Sequence, residues 1–544
     1  MNRRMILTLL SILSGLMLGF SFPPSSVGVL ACFGLIPLLI VLGESEKNLQ
    51  AFGYTYLAMM VFHLITLNWT GGYEHGNDPY MMIAGGVTMF VHPFFYFVPV
   101  SLYLFVRKRL GDVYGLAGFV LFWVAYEYSH SLSEWSFPWL TIGNSHTYDL
   151  ARIQFISSTG VFGLSFLILL MNAVGYRLFL GIRREGWGTF SGRSVAAAGV
   201  MMVLYMAPKF HGEAVLADPD SSGPDSVSVG IVQANLDPWE KWRRDVPATL
   251  GLYLSLTDSL IGSTGRVPEI VLWPETAIPA RLLSPGAASI RERIQSAVDA
   301  RGISLVTGFP HMSVYPDSGE APPSSKRISL TGERYDDFNA AAFFQPGDSA
   351  VPWYGKMKMV PLAERVPYAD AFYLFDFLRW GVGIGGWQIG PDSVLFLDQK
   401  TGTRFSSVIC YESTYPAFVA SFVRKGADLI TILTIDSWWG RMSGAYQHKQ
   451  FSVLRAVENR RWIARCALGG FSCFIDPFGR IHDETRLFER TVISRTVPRR
   501  SDLTFYTEHG EWLPQICLLL GTALLLSSVI PRIGAILKQR ERAA

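Results

Sequence analysis

Apolar positions fall into two regimes along the chain. Up to about residue 211, long apolar runs follow one another: Met5 to Phe22, then 27–43, 52–69, 81–106, 114–129, 155–181 and 194–210. One more covers about 513–537. Most approach the roughly 20 residues that carry a helix across a hydrocarbon core. The pattern predicts a polytopic α-helical membrane domain of about eight spans, seven in 1–211 and the eighth in 512–538. Arg3 and Arg4 precede the first run as in a signal peptide. However, Phe22-Pro23-Pro24 follows it instead of a small-residue cleavage site, so a retained span is expected. The run 114–129 is short, and 194–210 contains Pro208.

Between these regimes, after a linker at 212–225, the period changes. Short β-branched runs recur at Val227–Gln233, Glu269–Trp273, Ser304–Gly308, Asn339–Phe344, Phe405–Cys410 and Leu429–Ile435. Helical spacing appears at Ala287–Ala300 and Tyr446–Arg460. Strands alternating with helices predict a layered α/β domain over 226–505. The segment 311–336, rich in Pro, Ser, Gly and charge, reads as a surface loop.

Loop charges orient the spans. Basic residues cluster at Arg3-Arg4, Arg107-Lys108-Arg109, Arg177 to Arg193, and Arg532 to Arg542, while the alternate loops carry almost none. The positive-inside rule then places both termini in the cytoplasm and the α/β domain outside, which is the periplasm where an outer membrane exists. Three polar residues, Asn68, Glu127 and Asn172, lie in or near spans, where such groups face a bundle interior or a wet cavity.

Composition narrows the classes further. Of 544 residues, 49% are hydrophobic and 17% charged, with a mean hydropathy of +0.25. This excludes a disordered chain and argues against a wholly soluble enzyme. Lys and Arg number 47 against 44 Asp and Glu, so nothing favours nucleic-acid binding. Five cysteines exclude a disulfide scaffold, and no Cys-x-x-Cys pair suggests a metal.

The candidate chemistry lies at strand ends. Trp273-Pro274-Glu275 places a carboxylate just past one strand, Gly355-Lys356 an ammonium, and Ile409-Cys410-Tyr411-Glu412 a thiol past another. A thiol is a weak nucleophile until it loses its proton, and a nearby carboxylate can accept it. Lys356 offsets the repulsion between thiolate and carboxylate and can stabilise an oxyanion, with the N–H of Tyr411 as second donor. Taken singly, each residue has an ordinary reading: a core thiol and two solvated or paired charges.

The ordered set Trp273-Pro-Glu275, Tyr354-Gly-Lys356, Val360-Pro-Leu-Ala-Glu364 and Cys410-Tyr411-Glu412 resembles the nitrilase superfamily. Within it, the set resembles the membrane-integrated apolipoprotein N-acyltransferase family. Gln233 to Trp242, Asp436 to Gly440, Gln447 to Glu458 and Phe137-Pro-Trp-Leu140 fit the same pattern. The resemblance implies a nitrilase-like α-β-β-α sandwich. It also implies a catalytic triad of Glu275 as general base, Lys356 as oxyanion stabiliser and Cys410 as nucleophile. Glu364 would position Lys356, and Trp242, Tyr411 and Glu412 would be supporting or substrate-binding residues. The implied reaction moves an acyl chain from a phospholipid, through a Cys thioester, to the N-terminal amine of a diacylglyceryl-cysteine apolipoprotein. No metal or cofactor is implied. Ala363, and Cys466 to Gly470, depart from the family pattern. The segments Ala371–Phe375 and Arg379–Trp387 read as a lid or as a glycine-rich loop. Cys32, Cys466, Cys473 and Cys517 read as packing thiols. The rival readings are a membrane-anchored nitrilase-type hydrolase, an inactive scaffold or transporter, and a Cys–His catalyst using His448.

Overall fold

The computed structural model describes residues 2–72, 79–185, 191–217, 225–317, 319–371 and 386–543. The chain forms two compact units: Met1–Asn68 with Gly85–Ala217 and His509–Ala544, and Trp69–Ala84 with Asp218–Glu508.

The first unit is helical. Among the described residues, four helical stretches are long and apolar enough to cross a membrane: Asn48–Thr66, Met81–Leu110, Ile156–Arg184 and Trp512–Ile530. Gly28–Glu44 is a shorter apolar stretch. The expected runs at the N-terminus, 114–129 and 194–210 lie in helices Arg3–Gly19, Asp112–Ser131 and Gly192–Ala217. The last of these contains Pro208 and extends into the stretch read as a linker; the rest of that linker, 218–224, lies outside the described residues. Gly15 and Gly19 let the first helix close on Asn48–Thr66, since a Cβ at either would stand 2.7 Å from the Cβ of Val61 or Ile65. Small residues at such contacts replace the hydrophobic drive that lipid removes.

The polar groups of this unit act as braces. Glu127 Oε1 accepts from the Ile142 N–H at 2.9 Å and from Trp123 Nε1 at 3.2 Å. Asn172 accepts from the Leu35 N–H and donates to the Ala31 and Ile168 carbonyls, each at 2.8 Å. Both are buried, whereas Asn68 is exposed just past its helix.

The second unit is a sandwich of two sheets. The first contains β1 (Ser226–Gln233), β2 (Ile270–Leu272), β3 (Ser304–Tyr315), β4 (Lys326–Arg327), β5 (Arg334–Phe344), β6 (Trp353–Gly355) and β13 (Thr491–Pro498), in the order β13-β1-β2-β3-β5-β4 with β6 also on β5. The second contains β7 (Leu395–Asp398), β8 (Thr403–Ile409), β9 (Leu429–Thr434), β10 (Ile463–Ala467), β11 (Cys473–Ile475) and β12 (Ile481–His482), in the order β12-β11-β10-β9-β8-β7. β1, β2 and β3 run parallel, as do β8, β9 and β10. Their apolar runs are continuous because both faces are covered. Helices Val246–Thr264 and Ala288–Arg301 pack on the first sheet, and Pro416–Arg424 and Ser443–Asn459 on the second, which gives α-β-β-α layering. Between the sheets the Cys466 thiol points to the Leu272 carbonyl at 3.4 Å, a packing role, and Cys473 is fully buried.

The expected loop 311–336 is corrected at both ends. β3 continues to Tyr315 and β5 begins at Arg334, paired antiparallel from Leu305↔Phe344 to Tyr315↔Arg334. The cross-strand ladder outweighs the turn-forming composition of the intervening residues.

Candidate active site

The parallel strands deliver the three chemical groups. β2 ends at Leu272 and Pro274 stops the ladder, so the chain turns and presents Glu275. Gly308 makes the turn possible: its backbone bonds Pro274 and Ile278, and a Cβ there would lie 2.7 Å from Glu275 Cα. β6 pairs antiparallel with β5 and therefore runs with β3, bringing Lys356 to the same end of the sheet. Cys410 follows β8 and opens the 3-10 turn Cys410–Thr414 at φ +53°, a left-handed conformation that costs a non-glycine residue roughly 1–3 kcal/mol. Such strain concentrates where a side chain must be aimed.

These groups converge. Lys356 Nζ donates to Glu364 Oε1 at 2.7 Å and lies 3.7 Å from Glu275 Oε1. Lys356 is completely buried, and Glu275 and Glu364 nearly so. Glu364 Oε2 accepts from the Val360 N–H at 2.8 Å, which closes the loop that carries it. Burial works against the Lys356 ammonium, but Glu364, Cys410 and Glu275 outweigh it and hold its pKa above the ordinary value. Burial pushes the Cys410 thiol up; Glu275 and Glu364 oppose ionisation, Lys356 favours it, and the Thr434 hydroxyl makes a hydrogen bond to the sulfur. Cys410 therefore rests as a protonated thiol. Glu275 Oε2 is a buried oxygen with no hydrogen-bond partner among the described residues.

Glu412 ties the site together. Its Oε1 accepts from Tyr354 OH at 2.7 Å, Met357 N at 2.6 Å and Lys358 N at 3.2 Å, and its Oε2 accepts from Ile409 N at 2.7 Å. One carboxyl thus joins the loop bearing Lys356 to the turn bearing Cys410. Burial pushes it up to about 7, against its hydrogen bonds. Tyr411 is buried against Tyr415, with ring centroids 5.4 Å apart. Trp242 is 38% exposed, in the turn Lys241–Arg243.

His448 contacts the backbone of Cys410. Its Nε2 lies 3.0 Å from the Cys410 carbonyl and 2.8 Å from Ser413 Oγ, and its Nδ1 lies 2.9 Å from Asp436 Oδ1. Asp436 is held bidentately by Arg465 at 2.8 and 2.9 Å. Burial lowers the His448 pKa.

Two polar residues were missed by sequence reasoning. Asn339 Nδ2 donates to Glu275 Oε1 at 2.7 Å and, weakly at 3.5 Å, to Glu364 Oε1, while its main-chain carbonyl accepts from the Lys356 backbone N–H. Its signal is an amide opening the otherwise apolar run Asn339–Phe344. Lys241 is buried, with its ammonium on the carbonyl and hydroxyl of Thr276, next to Glu275. Burial pushes it down to about 7, with the Glu275 carboxylate opposing. Its signal is its place beside Trp242. Most of the segment read as a lid, 372–385, lies outside the described residues. Among the described residues no group of three or more His, Cys, Asp or Glu is arranged to hold a metal ion.

Comparison defines the class. Residues 228–501 match the carbon–nitrogen hydrolase family, and 14–174 match the apolipoprotein N-acyltransferase N-terminal domain. An amidase from Nesterenkonia sp. aligns at TM-score 0.36 and 17% identity, covering 54% of this chain and 100% of that one. An apolipoprotein N-acyltransferase of Chlorobaculum tepidum is 34% identical over 534 residues, 96% of each chain. One of Geobacter metallireducens is 29% identical over 514 residues, 94% of this chain and 92% of that one. The second unit is thus a carbon–nitrogen hydrolase domain. The whole chain belongs to the apolipoprotein N-acyltransferase family.

Proposed function

We propose that this membrane protein transfers an acyl chain from a phospholipid to the N-terminal amine of a diacylglyceryl-cysteine apolipoprotein, in two steps through a Cys410 thioester. Glu275 Oε2 takes the proton from Sγ as sulfur attacks the acyl ester carbonyl. Lys356 and the Tyr411 N–H stabilise the oxyanion. The intermediate expels the lysophospholipid oxygen, which receives the proton from Glu275. The acceptor amine then attacks the thioester and gives a proton to Glu275, an amide forms, and the sulfur leaves and regains that proton. Glu364 positions Lys356, Glu412 holds the two loops in register, and Trp242 and Tyr411 shape the substrate path.

The observation that carries this reading is the Lys356 ammonium lying 2.7 Å from Glu364 and 3.7 Å from Glu275, in electrostatic contact with Cys410. Two substrates bearing acyl chains account for a membrane domain of about eight spans. Loop charge supports a bacterial inner-membrane location, with cytoplasmic termini and the catalytic domain in the periplasm.

The test is mass spectrometry of the purified protein after incubation with phospholipid, followed by a diacylglyceryl peptide. The expected result is an acyl adduct on Cys410 that disappears as acyl-peptide accumulates, and no adduct or product with Cys410→Ala. Release of free fatty acid alone would identify a hydrolase instead.

A further inference from the structure

The chemistry above leaves the buried ammonium of Lys241, beside the Glu275 turn, without a role. Lys241 is 1% exposed, and burying an ammonium costs several kcal/mol unless it is compensated. Its hydrogen bonds go to one residue: the Thr276 carbonyl at 3.3 Å and the Thr276 hydroxyl. Thr276 follows Glu275 and sits at φ +43°, a left-handed conformation that is strained for a β-branched residue. The exposed Trp242 ring lies over the same ammonium, 5.2 Å from its centroid.

We infer that Lys241 is a positioning residue for the general base, pinning the strained Thr276 turn that aims Glu275 and setting beside that carboxylate a positive charge separate from Lys356. This rests on the reading of Glu275 as base. Lys356 is committed to Glu364 at rest and to the oxyanion during acylation. Thr276 follows Glu275 directly, so an ammonium held on the Thr276 carbonyl adds a second positive charge near that carboxylate, and an opposite charge nearby favours the charged form. The charged group facing Lys241 is Glu275; Lys356 lies beyond it, 3.7 Å from Glu275 Oε1, and Glu364 is bonded in turn to Lys356.

The test is single-turnover acylation of Cys410 by phospholipid, using full-length protein from about pH 5 to about pH 9. Lys241→Met is expected to slow acylation by roughly 10- to 100-fold, as a misaimed base does. The donor KM should stay close to wild type, and the acid limb of the rate profile should move to higher pH. Lys241→Arg should restore the position of that limb and part of the rate. Thr276→Val, which removes one anchor and keeps the charge, should slow acylation with the limb where wild type has it. An equal loss at every pH in Lys241→Met, or no loss, overturns the inference. If Lys241→Met does not fold, a Lys241→Arg limb at the wild-type position with a slowed Thr276→Val supports the inference, and a wild-type rate in Thr276→Val overturns it. Normal acylation by Glu275→Gln would instead reject the base itself.

Discussion

Two buried charge clusters meet at Cys410, and they differ in how completely one carboxylate of each is satisfied. Asp436, His448 and Arg465 are all fully buried, and His448 contacts the Cys410 carbonyl. Both Asp436 oxygens are bonded: Oδ1 to His448 and Arg465 at 2.9 Å each, Oδ2 to Arg465 at 2.8 Å. Glu275, Lys356, Glu364 and Asn339 act on the sulfur side, and there Glu275 Oε2 and Asn339 Oδ1 are buried with no partner among the described residues. An unsatisfied buried oxygen costs roughly 1–3 kcal/mol. On the proposed reading the first cluster fixes shape and the second carries reactivity; Thr434 touches both, through the Cys410 sulfur and Asp436 Oδ1.

The largest break in this comparison is Glu275→Gln. The amide keeps the volume and accepts from Asn339, but it takes no proton from sulfur. Because burial raises the Cys410 pKa, little thiolate forms without a base. Thioester formation should fall roughly 10²- to 10⁴-fold, the range of general-base catalysis, in a domain that still folds. A measured rate within a few-fold of wild type would remove Glu275 from the role.

The two clusters were not equally legible in the sequence. Glu275, Lys356 and Cys410 stand at strand ends flanked by Pro, Gly and aromatic residues, which marked them as candidates, while their roles came from the family resemblance. The β2 and β8 runs were readable because parallel strands covered on both faces are continuously apolar. β4 and β6 were not: two and three residues long, they exist only through pairing with β5. Asn339 and Lys241 were missed because their roles arise from long-range packing. Asn339 reaches Glu275 across 64 positions, and Lys241 reaches Thr276 across 35. His448 was readable as a helix residue, but its partner, the Cys410 carbonyl, was not.

The second break is Asp436→Asn, which removes charge from the bracing cluster and leaves its shape. Burial alone would raise this carboxyl, but Arg465 and His448 outweigh it and hold it well below the usual carboxylate range. A carboxylate depressed in the folded state stabilises above its unfolded value, about 3.9, and that contribution is lost as pH falls below it. Breaking a buried pair costs about 3–5 kcal/mol. Thermal melts should therefore show a large loss near neutral pH that narrows below about pH 4. A gap independent of pH would mean that the charge of Asp436 does not brace the fold.

The smallest effect sharpens the comparison most, because it separates the general base from a histidine rival. The sulfur–imidazole arrangement of a Cys–His catalyst requires His448 to take the thiol proton. Instead its Nε2 lies 3.0 Å from the Cys410 carbonyl and 2.8 Å from Ser413 Oγ, while Nδ1 is committed to Asp436. Removing the ring loosens the turn that aims the sulfur but leaves Glu275 Oε2 in place. His448→Ala should therefore slow thioester formation by roughly tenfold, a cost of alignment, with the adduct on Cys410 still detectable and the acid limb of the rate profile unmoved. Ser413→Ala, which removes the other donor to the same carbonyl at 2.7 Å, should act in the same direction and more weakly. Abolition of the adduct in a His448→Ala protein that melts as wild type does would transfer the base from Glu275 to the imidazole. The two clusters would then have to exchange roles.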